Sequence, residues 1–414
     1  HGHIRNYLMA TWNKGELQDH YANALGAQLG YKTATYKNFH FGLAGLFTYN
    51  TFSSDIAEPD PVSGKLPRYE LELFDLEDPE NRDDLDRLDE LYLDYHSRYF
   101  RATAGRFSFN SPFINPQDGR MKPYSVQGVR VQVPYQHKAL LTLAWLDHFS
   151  PRSTVSWYRA EEVIGIYSLG VDENGNRSGY KHHISTKGVA VASLQFKPNA
   201  KLQAETWNYW LENISNTSYG RAVYAVNPNI KMGAEALYQF QVGNGGNAEA
   251  AKTYFPDQEQ WVLGSMLAFE PQNWHLSLNY LHLGSGGRFL FPKEFGREQF
   301  FSTLSRGRLE GLGNSDALTL KARRYFKNQF SVEVGITKTW LPAPTNFRYN
   351  KYGYDDSWTG VADIHYKPTL ERLKGFQFRL MYVARFSPNT SLPLENTYYK
   401  TNFHHLNFVT QLSF

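Results

Sequence analysis

The chain is predicted to be all-β: a single 18-stranded antiparallel transmembrane β-barrel over residues 1-414, with long extracellular loops and short periplasmic turns. Three observations predict it. Eighteen segments alternate apolar and polar residues with period two, the links between them alternate between short and long, and no apolar stretch is long enough for a spanning helix.

The segments run over approximately 3-12, 20-36, 40-52, 88-97, 99-107, 126-134, 139-149, 186-196, 201-211, 219-226, 231-242, 260-270, 274-283, 316-326, 330-339, 357-367, 376-386 and 403-414. An even number returns both chain ends to one side of a membrane, as a bacterial barrel requires. Short links such as Lys37-Asn38, Ser97-Arg98, Pro198-Asn199, Pro228-Asn229 and Pro271-Gln272-Asn273 follow every even strand. The long set is 53-87, 108-125, 150-185, 243-259, 284-315, 340-356 and 387-402, with 13-19 and 212-218 of modest length.

Individual strands show the dyad. In 376-386, Phe376, Phe378, Leu380, Tyr382, Ala384 and Phe386 form an apolar side, while Gln377, Arg379, Met381, Val383 and Arg385 point the other way. The last segment repeats this, with Leu406, Phe408 and Leu412 outward and His405, Asn407 and Gln411 inward.

Composition agrees. A mean hydropathy of -0.53 is the average of one greasy and one wet edge per strand. Aromatic residues make up 16% of the chain, enough for girdles at both headgroup levels. The absence of cysteine removes disulfides, thiolate metal sites and Cys nucleophiles, and a net charge of +3 is too mild for a nucleic-acid partner. No signal-peptide pattern precedes His1, so an exported chain is expected to be the mature form.

Several strings carry a family resemblance. Ile4-Arg5-Asn6-Tyr7, Gly64-Lys65-Leu66-Pro67-Arg68, Gly119-Arg120-Met121-Lys122-Pro123 with Gly128-Val129-Arg130, and Leu373-Lys374-Gly375-Phe376-Gln377-Phe378-Arg379 resemble the OprD-type substrate-specific porins of the Gram-negative outer membrane. The resemblance implies an eyelet made by the third, fourth and seventh long loops, here near 108-125, 150-185 and 284-315. It also implies a ladder of Arg and Lys opposed by acidic or polar groups, and passive uptake of small carboxylate-bearing solutes. The terminal Phe414 resembles the signal read by the barrel assembly machinery. The second long loop departs from the family in its length and acidity.

Alternation alone nominates the inward basic residues. With Val129, Val131 and Val133 outward, Arg130 faces the bore; with Leu318, Leu320 and Ala322 outward, so do Lys321 and Arg323. Arg5, Arg101, Arg379 and Arg385 follow in the same way. A narrow, low-dielectric opening focuses such charges on a passing anion, and arginine offers carboxylates a planar fork. The competing reading is that these arginines pair with wall carboxylates such as Glu333 and Asp363. The third loop contributes Asp118, Arg120 and Tyr124 as eyelet candidates, and the seventh contributes Ser285 beside Gly286, Gly287 and Arg288.

The stretch Asp55 to Glu90 holds fourteen acidic residues against four basic ones. It reads first as a solvated charged loop with a short helix near Asp83 to Leu91. The alternatives are a cation bridge to lipopolysaccharide or a handle for an external partner protein, in which case the barrel is an anchor with little transport. Adjacent histidines such as His404-His405 point to opposite faces of a strand and do not chelate one ion. With no phosphate loop, HExxH or Gly-x-Ser-x-Gly pattern, neither enzyme chemistry nor a cofactor or metal is expected.

Overall fold

The computed structural model of the protein describes residues 1–117, 119–327 and 329–414. Among the described residues, eighteen long strands follow one another around a barrel. They are β1 (Gly2–Trp12), β2 (His20–Lys32), β3 (Phe39–Ser53), β4 (Arg87–His96), β5 (Arg101–Phe107) and β6 (Ser125–Tyr135). Next come β7 (Ala139–Ser150), β8 (Val189–Phe196), β9 (Leu202–Leu211), β10 (Ser215–Asn227), β11 (Ile230–Gln241) and β12 (Glu259–Phe269). The circuit ends with β13 (Trp274–Leu283), β14 (Ser315–Phe326), β15 (Phe330–Trp340), β16 (Ser357–Tyr366), β17 (Phe376–Phe386) and β18 (Phe403–Ser413).

Each strand pairs antiparallel with its neighbours in sequence, and β1 closes on β18 from His3↔Ser413 to Trp12↔His404. Closure leaves no sheet edge, so the strands pair all the way around the wall, which is what hydrocarbon demands. Tight turns close one end. Lys37 and Asn38 at φ 46° and 72°, and Gln136 and His137 at 47° and 56°, supply the paired positive φ of a hairpin turn.

The dyad sets the two faces. Leu380, Tyr382 and Phe386 of β17 are 39%, 39% and 46% exposed on the outside, while Met381 and Val383 between them are buried. Outward tryptophans cluster at the loop end of the strands: Trp12, Trp145, Trp210, Trp261, Trp340 and Trp358. Such a ring suits the boundary between headgroups and acyl chains. No described helix is long and apolar enough to cross a membrane, so strands alone make the wall.

Inside, burial changes along each strand. Toward the loop end of β14, Ala317 and Thr319 are buried, whereas Lys321 and Arg323 toward the turn end are partly open and Tyr325 is exposed. β17 repeats the gradient from buried Arg385 to half-open Arg379 and Gln377. The loop half of the bore is therefore occupied by folded-in loops, and the turn half is open to water.

Two expectations are corrected. β10 starts at Ser215 rather than 219, so the fifth loop is only the turn 212–214, with Asn213 at φ 59°. Ser215-Asn216-Thr217-Ser218 has no apolar alternation, which hid the extra pairs Leu211↔Ser215 through Asn208↔Ser218. The second loop holds its one-turn helix at Arg68–Leu71, and β4 already begins at Arg87 inside the stretch expected to be helical. A further two-residue strand, Tyr158–Arg159, pairs with His148 and Phe149 of β7.

Candidate functional site

The second loop (54–86) folds inward, against the expectation of a solvated acidic segment. Asp60, Glu70, Glu72 and Asp75 are all buried, while Asp55, Glu58, Glu77, Asp78, Glu80, Asp83, Asp84 and Asp86 stay on the surface. Each buried carboxylate has a specific partner set, as buried charge requires. Asp60 accepts the backbone N–H groups of Gln18, Val62 and Ser63. Glu70 docks the short helix on the wall by accepting from Thr11 of β1 and from Tyr399 of the ninth loop, both at 2.5 Å. Burial pushes its carboxyl up to about 6 despite those hydroxyls.

Glu72 clasps three loops together. Its carboxylate lies 2.5 Å from Arg152 of the fourth loop (151–188), 3.0 Å from Arg120 of the third (108–124) and 3.6 Å from Arg68. Burial alone would raise its carboxyl, but the guanidiniums of Arg120, Arg152 and Arg68 outweigh that and hold it at about 2. The third loop is also keyed into the seventh (284–314). Asn115 donates to the Arg297 carbonyl at 2.7 Å, and Phe113 sits among Tyr209, Tyr219, Phe289, Phe291 and Phe300 with ring centroids 5.2 to 5.8 Å away. Glu294 accepts the backbone N–H groups of Gly165 and Tyr167, which joins the seventh loop to the fourth.

These loops, with the eighth (341–356) and ninth (387–402), wall a cavity of about 1090 Å³ in the loop half of the bore. The second loop lines it with Lys65 and Arg68, the third with Arg120, and the fourth with Arg152 and Arg177. The seventh adds Lys293, Arg297, Arg306 and Arg308, the eighth Lys351 and the ninth Lys400. Glu72 is the one carboxylate among the described lining residues, so eleven cations face it. Glu294, Glu298 and Glu310 are buried behind the wall and offset only part of the excess. Tyr69, Tyr124, Tyr167, Tyr352, Tyr354, Tyr398 and Tyr399 provide the ring surface.

Of the residues nominated from sequence, Arg120 and Tyr124 line this cavity. Arg120 is 1% exposed and donates to the Tyr69 carbonyl at 2.6 Å; Tyr124 accepts from Tyr167 at 3.3 Å, with the Arg152 guanidinium 5.4 Å over its ring. Arg385 borders an adjoining pocket and donates to the carbonyls of Arg306 at 2.9 Å and Lys400 at 3.2 Å. Lys321 donates to the carbonyls of Phe301 and Thr303 at 2.7 and 3.0 Å, and so holds the seventh loop to the wall. Arg5 reaches Gln411 and the Arg120 carbonyl.

The remaining nominees lie apart from the cavity. Arg101 is paired with Asp94 at 2.8 Å, Arg379 with Asp363 at 2.7 Å, and Arg323 with Glu333, all between neighbouring strands in the open turn half. These are wall pairs of the kind a wet lumen collects, rather than a single descending ladder. Arg130 donates to Thr103 at 3.1 Å and lies 4.9 Å over the Phe107 ring. Ser285 is exposed at the rim, where its carbonyl accepts from Tyr349, and Asp118 lies outside the described residues. His404 faces outward beside Tyr382, while His405 faces inward, 2.7 Å from Thr11 Oγ1. Among the described residues, no group of three or more His, Asp or Glu is arranged to hold a metal ion.

Sequence reasoning missed most of the cavity's cations because they sit on loops, where no periodicity tells inside from outside. The available signal was local: Lys293, Arg297, Arg306 and Arg308 outnumber Glu294 and Glu298 over 293-308, in a loop already expected to enter the bore.

No family profile and no curated protein sequence matches the chain. Solved structures do match. OccK8 (OprE) of Pseudomonas aeruginosa superposes with a TM-score of 0.75 at 13% identity, covering 99% of this chain and 96% of that one. OccAB4 of Acinetobacter baumannii gives 0.75 at 15% identity over 99% and 96%. OpdK of P. aeruginosa, crystallised with vanillate, gives 0.68 at 13% identity over 99% and 98%. The chain thus has the closed eighteen-stranded barrel fold of these proteins over essentially its whole length.

Proposed function

We propose that this protein is an integral outer-membrane porin for passive, substrate-selective diffusion of small carboxylate-bearing or other anionic and zwitterionic solutes. The observation that carries the reading is the charge imbalance of the loop-walled cavity: eleven Lys and Arg side chains against Glu72. In a constricted space with low-dielectric walls, fixed cations raise the local anion concentration and exclude cations. Arginine forks and tyrosine hydroxyls give a carboxylate several weak handholds, the condition for entering and leaving.

Further support comes from the wall and from a structural neighbour. The outer surface carries the apolar, tryptophan-ringed belt of a lipid-embedded barrel. OpdK was crystallised with vanillate, an aromatic carboxylate. The partners implied are small solutes, outer-membrane lipid and lipopolysaccharide, together with the assembly machinery at Phe414. That residue is 63% exposed and its backbone is bonded to Gly2. Asp60, Glu70 and Glu72 turn inward, so a partner protein at the acidic loop would meet only its outer carboxylates, Glu77, Asp78, Glu80, Asp83 and Asp84 among them.

Planar-bilayer recordings in a salt gradient test the proposal. Discrete conductance with a reversal potential on the chloride side is expected. A silent protein, or one selective for potassium, refutes it.

A further inference from the structure

Lys293 and Lys400 are held in the vestibule by neutral groups, unlike the five of its cations that stand against carboxylates. Glu72 gathers Arg68, Arg120 and Arg152, Glu310 lies 3.6 Å from Lys351, and Glu298 lies 3.9 Å from Arg308. Lys293 Nζ instead donates to the Ser168 carbonyl at 2.7 Å and hydroxyl at 3.1 Å, and stands 4.3 Å over the ring of Tyr352. Lys400 Nζ donates to the backbone carbonyl of the same Tyr352 at 2.7 Å. Oxygen atoms of neutral groups satisfy an ammonium's geometry without cancelling its charge.

The donor arithmetic points the same way. An ammonium carries three N–H donors. Lys293 directs two at Ser168 and Lys400 directs one at Tyr352, so one donor on the first and two on the second remain for another acceptor. Both side chains line the same cavity of about 1090 Å³, one at the ring of Tyr352 and one at its backbone carbonyl.

We propose that Lys293 and Lys400 form a two-amine subsite that selects solutes carrying two negative charges, dicarboxylates or phosphate monoesters, over monocarboxylates. The inference rests on the channel reading above and names the solute class of that same cavity. A monoanion engages one amine and leaves the other to a mobile counterion. A dianion of matching span satisfies both and releases two counterions, so its advantage grows with each charge placed. The guanidiniums clasped by Glu72 set the shape of the opening, and the two amines read the charge of what enters.

The test is the concentration at which a solute reduces chloride current through the purified full-length channel in a bilayer, at pH 6.5, where a phosphate monoester is mostly doubly charged. Acetate, succinate and glycerol phosphate are the probes. Succinate, glycerol phosphate or both should act at about tenfold lower concentration than acetate, the factor expected of one added charge contact. Whichever dianion acts identifies the source. Lys293→Met and Lys400→Met should each bring the dianions close to acetate, while Lys293→Arg and Lys400→Arg, which keep the charge, should retain the preference. An anion-selective wild-type channel in which the dianions act no better than acetate overturns the subsite and leaves the channel reading standing. Unchanged dianion preference in both methionine variants also overturns it. A channel without anion selectivity removes the reading on which the subsite depends.

Discussion

Replacing Glu72 by Gln removes one negative charge and keeps the side chain's size, and the structure sets the consequence. The carboxyl is held at about 2 instead of its ordinary 4.5 by three guanidiniums from two other loops and its own helix. Because this acid is depressed, its contribution to loop docking is fully present above the ordinary value and is lost as pH falls from 4.5 toward 2. That gap corresponds to about 3 kcal/mol. It falls within the roughly 3–5 kcal/mol cost of breaking a buried ion pair by deleting one partner. The barrel is closed independently of this cluster, so the cost falls on the second, third and fourth loops. Amide hydrogen exchange in detergent should accelerate by about a hundredfold in these loops, the factor that such an energy implies, and leave the strands unchanged. Channel recordings should show added noise as the loops detach and redock. Exchange in all three loops equal to wild type at neutral pH would refute the reasoning that Glu72 holds the constriction together.

Other consequences are checked more simply. Burial brings the Lys293 and Lys400 amines down to about 7 and about 8; Glu310, Lys351, Glu294 and Arg68 surround the first, and Lys65 and Arg68 the second. A lowered amine loses its charge as pH rises, so chloride-over-potassium selectivity should fall between pH 6 and 9; a flat reversal potential across that range counts against the assignment. Arg379→Ala leaves Asp363 uncompensated and Arg130→Ala removes a lumenal cation, so each should weaken anion preference, and unchanged selectivity in both takes these residues out of the conduction path. Gly296, at φ 153°, packs so closely on the third loop that an added Cβ would lie 2.7 Å from the Asn115 backbone nitrogen. Gly296→Ala should loosen the contact between the third and seventh loops by about 1–3 kcal/mol and raise their protease sensitivity while the barrel remains heat-modifiable.

The legible parts of the molecule were those governed by a period. The β17 dyad was readable because Phe378, Leu380 and Tyr382 must meet lipid while Arg379 and Arg385 must not. Where the period lapsed, the reading slipped. Ser215 to Ser218 carries no apolar edge, so alternation points to 219 where β10 in fact begins at Ser215. The pairs Arg379–Asp363 and Arg323–Glu333 illustrate the limit for the lumen. Alternation established that these side chains point inward, but whether each is a free rung or half of a wall pair depends on strand register, which decides who stands opposite.

By itself the sequence determined the barrel: strand number, the sidedness of its connections and the outward or inward sense of the wall residues. All three follow from local rules of backbone pairing and lipid solubility. Only the tertiary structure decided what fills the bore. The second loop looked like solvated acid, yet Glu72 turns inward to meet Arg120 and Arg152 from segments 48 and 80 residues away in the chain. Burying a carboxylate is favourable only when guanidiniums converge on it, and that convergence is a property of the folded arrangement that no stretch of sequence displays.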